Sequence, residues 1–253
     1  MRPLRLPVIA DDGDLLALAK PIDALVLPDN WYPRIPVLVE AIRYQAENGK
    51  PEFQRLNIPS SGLNAIYGLD PDVSGVCVMT RSPERAEQLR NDVGSGLCKF
   101  RFHLVAEKAP EEDELECDLP MARHFTEARM LVSNRTGKKA QTIFRRIDRV
   151  GRYSLWEAET DFPRRHQIAL HAFECGIHIV GDETYAGGTP LYLSQLKRNY
   201  RTRQRDEEET PIHPAIAVHL VEWSHQDGTK ITCEPSKTFV ALLKQVKRYA
   251  PRF

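Results

Sequence analysis

The segment 68–79 constrains this chain most, because it places two acidic residues in a turn that leads directly into an apolar run. Asp70 and Asp72 flank a proline, Gly75 closes the turn, and the apolar residues 76–79 follow. A short apolar run bounded by turn residues is typical of a buried strand. The sequence therefore predicts that Asp70 lies at the mouth of a sheet, where a fixed carboxylate is a candidate for chemistry. A solvated surface turn is the alternative interpretation.

Strand and helix patterns alternate irregularly along the rest of the chain. Apolar residues at helical spacing predict helices at 36–47, 83–94, 166–175 and 239–246, and Ser82 is a good N-cap for the second of these. No repeat and no long linker divides the chain, so we expect one domain over residues 1–253. The mixture predicts an α+β fold with a mainly antiparallel sheet flanked by helices. Strands are predicted at 8–10, 15–19, 25–27, 76–79, 99–107, 140–146, 153–158, 218–223 and 230–233.

Composition bounds the class of protein. The 253 residues carry 35 basic and 35 acidic side chains, so no global field attracts nucleic acid and an RNA partner needs a local basic surface. Five scattered cysteines without a C-x-x-C pair argue against a disulfide framework and against a metal site. No apolar run approaches membrane-spanning length, and no signal-type segment begins the chain. The sequence predicts a cytoplasmic protein with no membrane and no metal partner.

Two stretches concentrate basic residues. The first, 196–210 (LKRNYRTRQRDEEET), is interpreted as a charged insertion loop, which is either a solvated surface or a contact to an RNA backbone. The second lies around 135–146 and is either one solvated strand face or part of a binding surface. The candidate RNA-binding residues in the two stretches are Lys138, Lys139, Lys197, Arg198, Arg201 and Arg203, with Tyr200 as a candidate stacking ring.

The chain resembles the RluA-like family of RNA pseudouridine synthases. The segment 67–75 (YGLDPDVSG) is similar to the family signature HRLDxxTSG and keeps Leu69, Asp70, Ser74 and Gly75. Further segments stand in the family's order over nearly the whole chain. These are 11–21 (DDGDLLALAKP), 138–146 (KKAQTIFRR), 164–185 (RRHQIALHAFECGIHIVGDETY) and 217–243.

This resemblance implies an isomerase that converts uridine to pseudouridine in rRNA or tRNA without any cofactor. In such enzymes one aspartate does the work, either as a nucleophile or as the group that drives deprotonation at the sugar, and Asp70 stands at its position. The target uridine must leave its stack, as it does in other base-modifying enzymes. The resemblance begins at the family's first core strand, so we expect a catalytic domain without an N-terminal RNA-binding appendage.

Several positions depart from the family pattern. Tyr67 and Gly68 replace the His-Arg pair of the signature, Ala169 replaces the arginine that the family places beside its aspartate, and Arg101 stands where the family has a tyrosine. A desolvated carboxylate without a cation favours its neutral form, which is a poor nucleophile. We hypothesise that Arg101, or Arg165 at the start of the following helix, supplies the missing cation.

The remaining site residues are expected to support this aspartate. Gln167 and Ile168 match the family block and are expected to shape the pocket floor, with Arg164, Arg165, Arg101 and Tyr67 as further supports. His166 and His171 are five residues apart, so we expect them to cap and pack a helix rather than to bind zinc. Two classes stay open: an RNA pseudouridine synthase, and a catalytically silent member that binds RNA or a protein.

Overall fold

The structure is a computed structural model that describes residues 6–59, 62–198, 200 and 208–249, without the side chains of 51 and 52. Contacts between Cα atoms divide the chain into two units. The first consists of residues 1–100, 161–165 and 220–234, and the second of residues 101–160, 166–219 and 235–253.

The described part of the chain contains short helices and mostly short strands. In chain order the strands are β1 (Val8–Asp11), β2 (Leu15–Lys20), β3 (Asn64–Ala65), β4 (Ser74–Thr80), β5 (Cys98–Lys108), β6 (Glu114–Cys117), β7 (Met121–Arg123), β8 (Met130–Val132), β9 (Thr142–Val150), β10 (Tyr153–Thr160), β11 (His178–Ile179), β12 (Val218–His225) and β13 (Lys230–Thr232). The helices are α1 (Leu38–Glu47), α2 (Pro51–Gln54), α3 (Pro83–Gly94), α4 (Gln167–Glu174), α5 (Leu193–Leu196) and α6 (Lys237–Tyr249).

The first unit is built on strands in the order β1-β2-β4-β12, with β3 on β4 and β13 on β12. The pairs β1–β2, β2–β4, β3–β4 and β12–β13 are antiparallel. Every residue of β4 is buried, which confirms the strand predicted after the acidic turn. In the β2–β4 ladder Lys20 lies opposite Gly75, so the end of β2 lies beside the start of β4.

Helix α3 follows β4 and begins as predicted. The Ser82 hydroxyl oxygen accepts a hydrogen bond from the backbone N–H of Arg85 at 3.1 Å, and Pro83 occupies the first turn. Ala86, Leu89 and Val93 form its buried face. A capped helix with an apolar stripe at helical spacing is stabilised mainly by packing of that stripe.

The second unit has strands in the order β5-β10-β9-β6, with β11 on β5, and a separate two-stranded sheet of β7 and β8. The pairs β6–β9, β9–β10, β5–β11 and β7–β8 are antiparallel. Helices α4, α5 and α6 belong to this unit. The predicted α+β class with mainly antiparallel strands is confirmed. No helix in the described ranges is both long and apolar enough to cross a membrane.

The predicted strand at 25–27 is wrong. Leu25 forms only an isolated parallel bridge with Val37, and no strand is assigned at 26 or 27. Pro28 follows at once and has no N–H to donate to a ladder, so the run cannot extend. The apolar residues 24–26 are buried without forming a strand.

Candidate active site

Asp70 lies in a tight turn that opens β4. The backbone N–H of Val73 donates to the carbonyl oxygen of Asp70 at 3.1 Å, closing the turn. Asp70 is half-buried, Pro71 is buried and Asp72 is exposed. The two acids therefore differ in environment although they belong to one turn, and Asp70 is the one that the fold partly shields from water.

The Lys20 side chain donates hydrogen bonds to the backbone of this turn. Its side chain is buried, and its Nζ lies within hydrogen-bonding distance of the carbonyl oxygens of Asp70 (3.0 Å), Pro71 (3.2 Å), Val73 (2.6 Å) and Pro21 (3.1 Å). Burial lowers the pKa of Lys20 to about 8, and nearby negative charges, including that of Asp70, oppose the shift. The lysine thus ties the end of β2 to the turn. From sequence alone, Lys20 belongs to the segment 11–21 that resembles the family, and its contacts with the acidic turn were not predicted.

Gly75 is required where the turn meets β12. Its φ is +135°, and a Cβ built at this position would lie 2.3 Å from the carbonyl oxygen of Leu220 and 2.6 Å from its nitrogen. Real Cβ atoms do not approach backbone this closely, so only glycine fits. The steric requirement explains why a glycine ends the acidic turn.

The loop after β2 brings Tyr32 into the electrostatic field of Asp70. Tyr32 is half-buried, and its pKa is raised to about 12, first by burial and then by the negative charges of Asp70 and Asp72. Its hydroxyl therefore keeps its proton at neutral pH and can donate a hydrogen bond. Trp31 precedes it, with the two rings edge to face and their centroids 6.5 Å apart. Neither aromatic residue was predicted as part of the site.

Arg165 anchors this loop. Its guanidinium forms an ion pair with the Asp29 carboxylate and lies over the Trp31 ring, 4.4 Å from the centroid. The backbone N–H of Trp31 also donates to Asp29 at 2.8 Å. Arg165 therefore positions the segment that carries Tyr32, and the hypothesis that it pairs with Asp70 stays a prediction. Arg164 lies over the Phe162 ring at 4.8 Å.

Tyr67 is buried in the core of the first unit. Its hydroxyl donates to the carbonyl oxygen of Val76 at 2.9 Å, and its ring contacts Phe100 edge to face at 4.7 Å. Tyr67 thus supports β4 directly. Phe100 and Phe102 on β5 are both buried.

Arg101 is engaged by two carboxylates of the second unit. Its Nε lies 3.4 Å from Glu157, and its Nη2 lies 3.6 Å from Glu159. These contacts join β5 to β10. The hypothesis that Arg101 serves as the cation for Asp70 stays a prediction.

Gln167 fastens α4 to two strands. Its Nε2 lies 2.9 Å from the Gln141 carbonyl oxygen, 3.0 Å from Thr142 Oγ1 and 3.1 Å from Thr160 Oγ1. Ile168 beside it is buried. The two residues therefore fix the first turn of α4 in the second unit, and their role in a pocket floor stays a prediction.

His166 is the N-cap residue of α4, as expected, although its side chain makes no cap hydrogen bond, and the packing role of His171 is confirmed. His166 stands at the N-cap with φ 54° and makes no side-chain cap hydrogen bond; its Nδ1 lies 3.0 Å from the Tyr185 hydroxyl instead. His171 is buried between Thr142 Oγ1 at 2.9 Å and the Leu119 carbonyl oxygen at 3.0 Å.

The candidate RNA-binding residues fall in two places. Lys138 and Lys139 are exposed just after the β7–β8 hairpin, and Lys197 and Arg198 are exposed after α5. The Nζ of Lys197 lies 6.0 Å from the centroid of the Tyr249 ring. Two further candidates lie outside the described residues, Arg201 and Arg203. Within the described ranges, no three His, Cys, Asp or Glu side chains are grouped so as to hold a metal ion.

Comparison with known proteins gives consistent relatives. The sequence model of the RNA pseudouridylate synthase family matches residues 45–172, which is half of the chain. Ribosomal large subunit pseudouridine synthase D of Haemophilus influenzae is 24% identical over 225 residues, covering 86% of this chain and 66% of that protein. RNA pseudouridine synthase 7 of Arabidopsis thaliana is 31% identical over 212 residues, covering 78% of this chain and 49% of that protein.

Solved structures share the fold. Human RNA pseudouridylate synthase domain containing 4 superposes with a TM-score of 0.69 at 15% identity, over 97% of this chain and 94% of that chain. Human RNA pseudouridylate synthase domain containing 1 gives a TM-score of 0.58 at 15% identity, over 93% and 86%. The resemblance to RluA-like enzymes that the sequence indicated is confirmed. On the family match and the relatives, this chain belongs to the RNA pseudouridylate synthase family.

Proposed function

We propose that this protein isomerises uridine to pseudouridine in rRNA or tRNA, with Asp70 as the catalytic carboxylate. The observation that carries the proposal is the Asp70 turn, in a chain of the RNA pseudouridylate synthase family. The carboxylate stands at the signature position, is half-buried, and belongs to a turn whose carbonyl oxygens are held by Lys20.

The reaction asks little of the protein beyond a placed carboxylate. The uridine leaves its stack, the bond between N1 and C1′ breaks, the uracil turns, and C5 joins C1′. The proton on C5 is released to solvent, and N1 takes up a proton. Asp70 acts at the sugar in one of two ways: it attacks C1′, and the bond it forms breaks again when C5 attaches, or it takes a proton from the sugar and returns it after C5 attaches. No cofactor takes part in this sequence of steps.

Two groups near Asp70 interact with its charge. The ammonium of Lys20 lies 3.0 Å from the main-chain oxygen of the same residue, and the negative charge of Asp70 attracts it. The Tyr32 hydroxyl keeps its proton and can donate to a negative group in the site. In this proposal the two groups take the place of the family's arginine, which Ala169 replaces.

The test uses release of the C5 hydrogen. The full chain is incubated with cellular rRNA and, separately, tRNA that carry tritium at uridine C5 and come from cells lacking the protein. Asp70→Asn removes the carboxylate at constant size, and Asp72→Asn makes the same change two residues away at the exposed position of the turn. We expect Asp70→Asn to abolish tritium release and Asp72→Asn to retain most of it.

The outcomes separate the two open classes. Tritium release by the Asp70→Asn variant at the wild-type rate contradicts the role of Asp70. A wild-type protein that binds these RNAs but releases no tritium from either is a silent member of the family. Mapping pseudouridine in cells with and without the protein then identifies the modified uridine.

A further inference from the structure

We propose that the β7–β8 hairpin and the segment after it, residues 121–139, bind single-stranded RNA. We call this range the basic hairpin. The proposal rests on the proposed function, since it takes RNA as the substrate class, and it adds a contact surface outside the Asp70 turn. Its stacking residue is Phe125, and its phosphate-binding residues are Arg123, Arg129, Arg135, Lys138 and Lys139.

Phe125 has an unusual exposure. Its side chain is 99% exposed, whereas the next most exposed large hydrophobic residue that the structure describes, Tyr44, reaches 64%. Isolated exposed hydrophobic residues are common on protein surfaces, so exposure alone assigns no role. The basic residues of the same hairpin indicate a role for Phe125 in binding RNA.

The basic hairpin concentrates positive charge in a chain that has none overall. It holds five lysines and arginines against one acid, Glu127, while the whole chain balances 35 basic and 35 acidic residues. Glu127 pairs with Arg129 at 2.5 Å. The other four basic residues are exposed. Basic side chains that neutralise phosphates supply most of the affinity for a nucleic acid of any sequence.

The lysines are fixed beside the hairpin by the backbone. Met121 pairs with Val132 of β8. It also pairs with Lys138: the Met121 N–H donates to the Lys138 carbonyl oxygen at 3.0 Å, and the Lys138 N–H donates to the Met121 carbonyl oxygen at 2.9 Å. A Cβ at Gly137 would lie 2.3 Å from the Ser133 carbonyl oxygen, so only glycine allows this approach. The basic segment therefore lies along β7.

Both ends of the hairpin are held. At the tip, the His124 N–H donates to the Arg129 carbonyl oxygen at 3.0 Å, and the His124 Nδ1 accepts from the Glu127 N–H at 3.1 Å. Where the tip meets β8, the Met130 N–H donates to the Tyr185 hydroxyl at 3.0 Å, and at the base the Ser133 N–H donates to the Pro120 carbonyl oxygen at 2.9 Å. A surface ordered before binding loses less conformational entropy when RNA arrives.

RNA fits this surface better than a protein or a membrane does. Within 121–139, all of which the structure describes, Phe125 is the one large hydrophobic residue that is exposed. A protein interface needs an apolar core of several residues, and a membrane needs a broad apolar face. A single ring among cations instead matches one unpaired base between phosphates.

The experiment measures binding of the full chain to two probes. One is a fluorescein-labelled single-stranded RNA of uridine and cytidine, about 20 nucleotides long, and the other is a blunt duplex of the same length. We expect Phe125→Ala to weaken single-strand binding about tenfold. Phe125→Trp should keep the affinity because it keeps a stacking face, whereas Phe125→Leu should behave like alanine. Tyr44→Ala, the matched control on α1, should bind as the wild type does.

Several results overturn the proposal. These are wild-type affinity in Phe125→Ala, wild-type affinity in Phe125→Leu, a preference for the duplex, and no binding of the single strand. If Phe125→Ala keeps its affinity for RNA but no longer binds a protein that the wild type binds, the hairpin is a protein-binding element instead.

The failure of this proposal differs from that of the proposed function. If tritium release depends on Asp70 but RNA affinity does not depend on Phe125, only the hairpin proposal fails. If RNA affinity depends on Phe125 but no RNA loses tritium, only the proposed function fails.

Discussion

At the scale of single residues, the position of Asp70 depends on a lysine that is only 2% exposed. Lys20 offers three N–H donors to four carbonyl oxygens, three of which belong to the acidic turn. Buried carbonyl groups without a donor are costly, so removal of this amine should disturb the turn as well as the stability.

The pH dependence of stability tests the environment of Lys20. Its pKa falls from 10.5 to about 8 in the folded chain. Between these two values the unfolded chain binds a proton at this site that the folded chain does not, so the free energy of unfolding rises with pH across that window. The shift corresponds to about 3 kcal/mol. Relative to Lys20→Met, the wild type should gain a large part of this amount between pH 8 and 10.5 in urea denaturation. A difference between the two proteins that does not change with pH contradicts the assignment.

Some residues of the site could be predicted from sequence and others could not. Asp70 and Gly75 lie in one local turn, so a nine-residue signature is enough to find them. Arg165 and Asp29 are far apart in the chain, and their ion pair brings a loop with no periodicity into the site. Tyr32 enters with that loop, and only the fold reveals it.

At the scale of elements, the acidic turn depends on the close approach of β4 and β12. We expect Gly75→Ala to lower the free energy of unfolding by about 3 kcal/mol or more, because the new methyl group would collide with the Leu220 backbone and the φ of +135° is strained for alanine. Urea denaturation followed by circular dichroism measures the change.

Gly68→Ala is the control for this prediction. It lies at the other end of the same turn, and a Cβ there would meet nothing within 4 Å. Its effect should stay within about 0.5 kcal/mol. Equal effects of the two substitutions would show that the approach of Leu220 does not limit this position.

The elements that sequence predicted share a local cause. Helix α3 carries its own cap and its own apolar stripe, so no distant contact is needed to recognise it. The β7–β8 hairpin was not predicted, because strands of three residues have too few positions to show an alternating pattern. Its pairing is completed by Lys138, which comes after both strands.

At the scale of the whole molecule, a net charge of zero limits long-range attraction of RNA. Affinity should then depend on salt only through the basic residues that touch phosphates. For the five basic residues of the basic hairpin, the logarithm of the association constant for single-stranded RNA should fall with the logarithm of salt concentration with a slope of about −3.5.

The double substitution Lys138→Ala, Lys139→Ala tests this dependence. The slope should become shallower by about 1.4, measured by fluorescence anisotropy over a salt series. The pair Lys244→Ala, Lys247→Ala on α6 removes the same charge elsewhere and should leave the slope unchanged. Equal changes in both double variants would mean that overall charge, rather than the basic hairpin, sets the affinity.

The fold class was predictable at this scale, but the division into two units was not. Strand and helix patterns give the α+β class without any knowledge of pairing. The division falls inside β5, between Phe100 and Arg101, and inside β12, between His219 and Leu220. Because these divisions lie inside strands, the amino-acid composition does not change there, and the sequence gives no sign of them.

The burial of Lys20 also offers a way to time the opening of the acidic turn. An amine-reactive reagent reaches Nζ only when the chain around it opens, because the amine is buried while the turn is closed. The rate of modification at Lys20, measured by mass spectrometry, therefore reports how often the hydrogen bonds between Lys20 and the acidic turn break and form again.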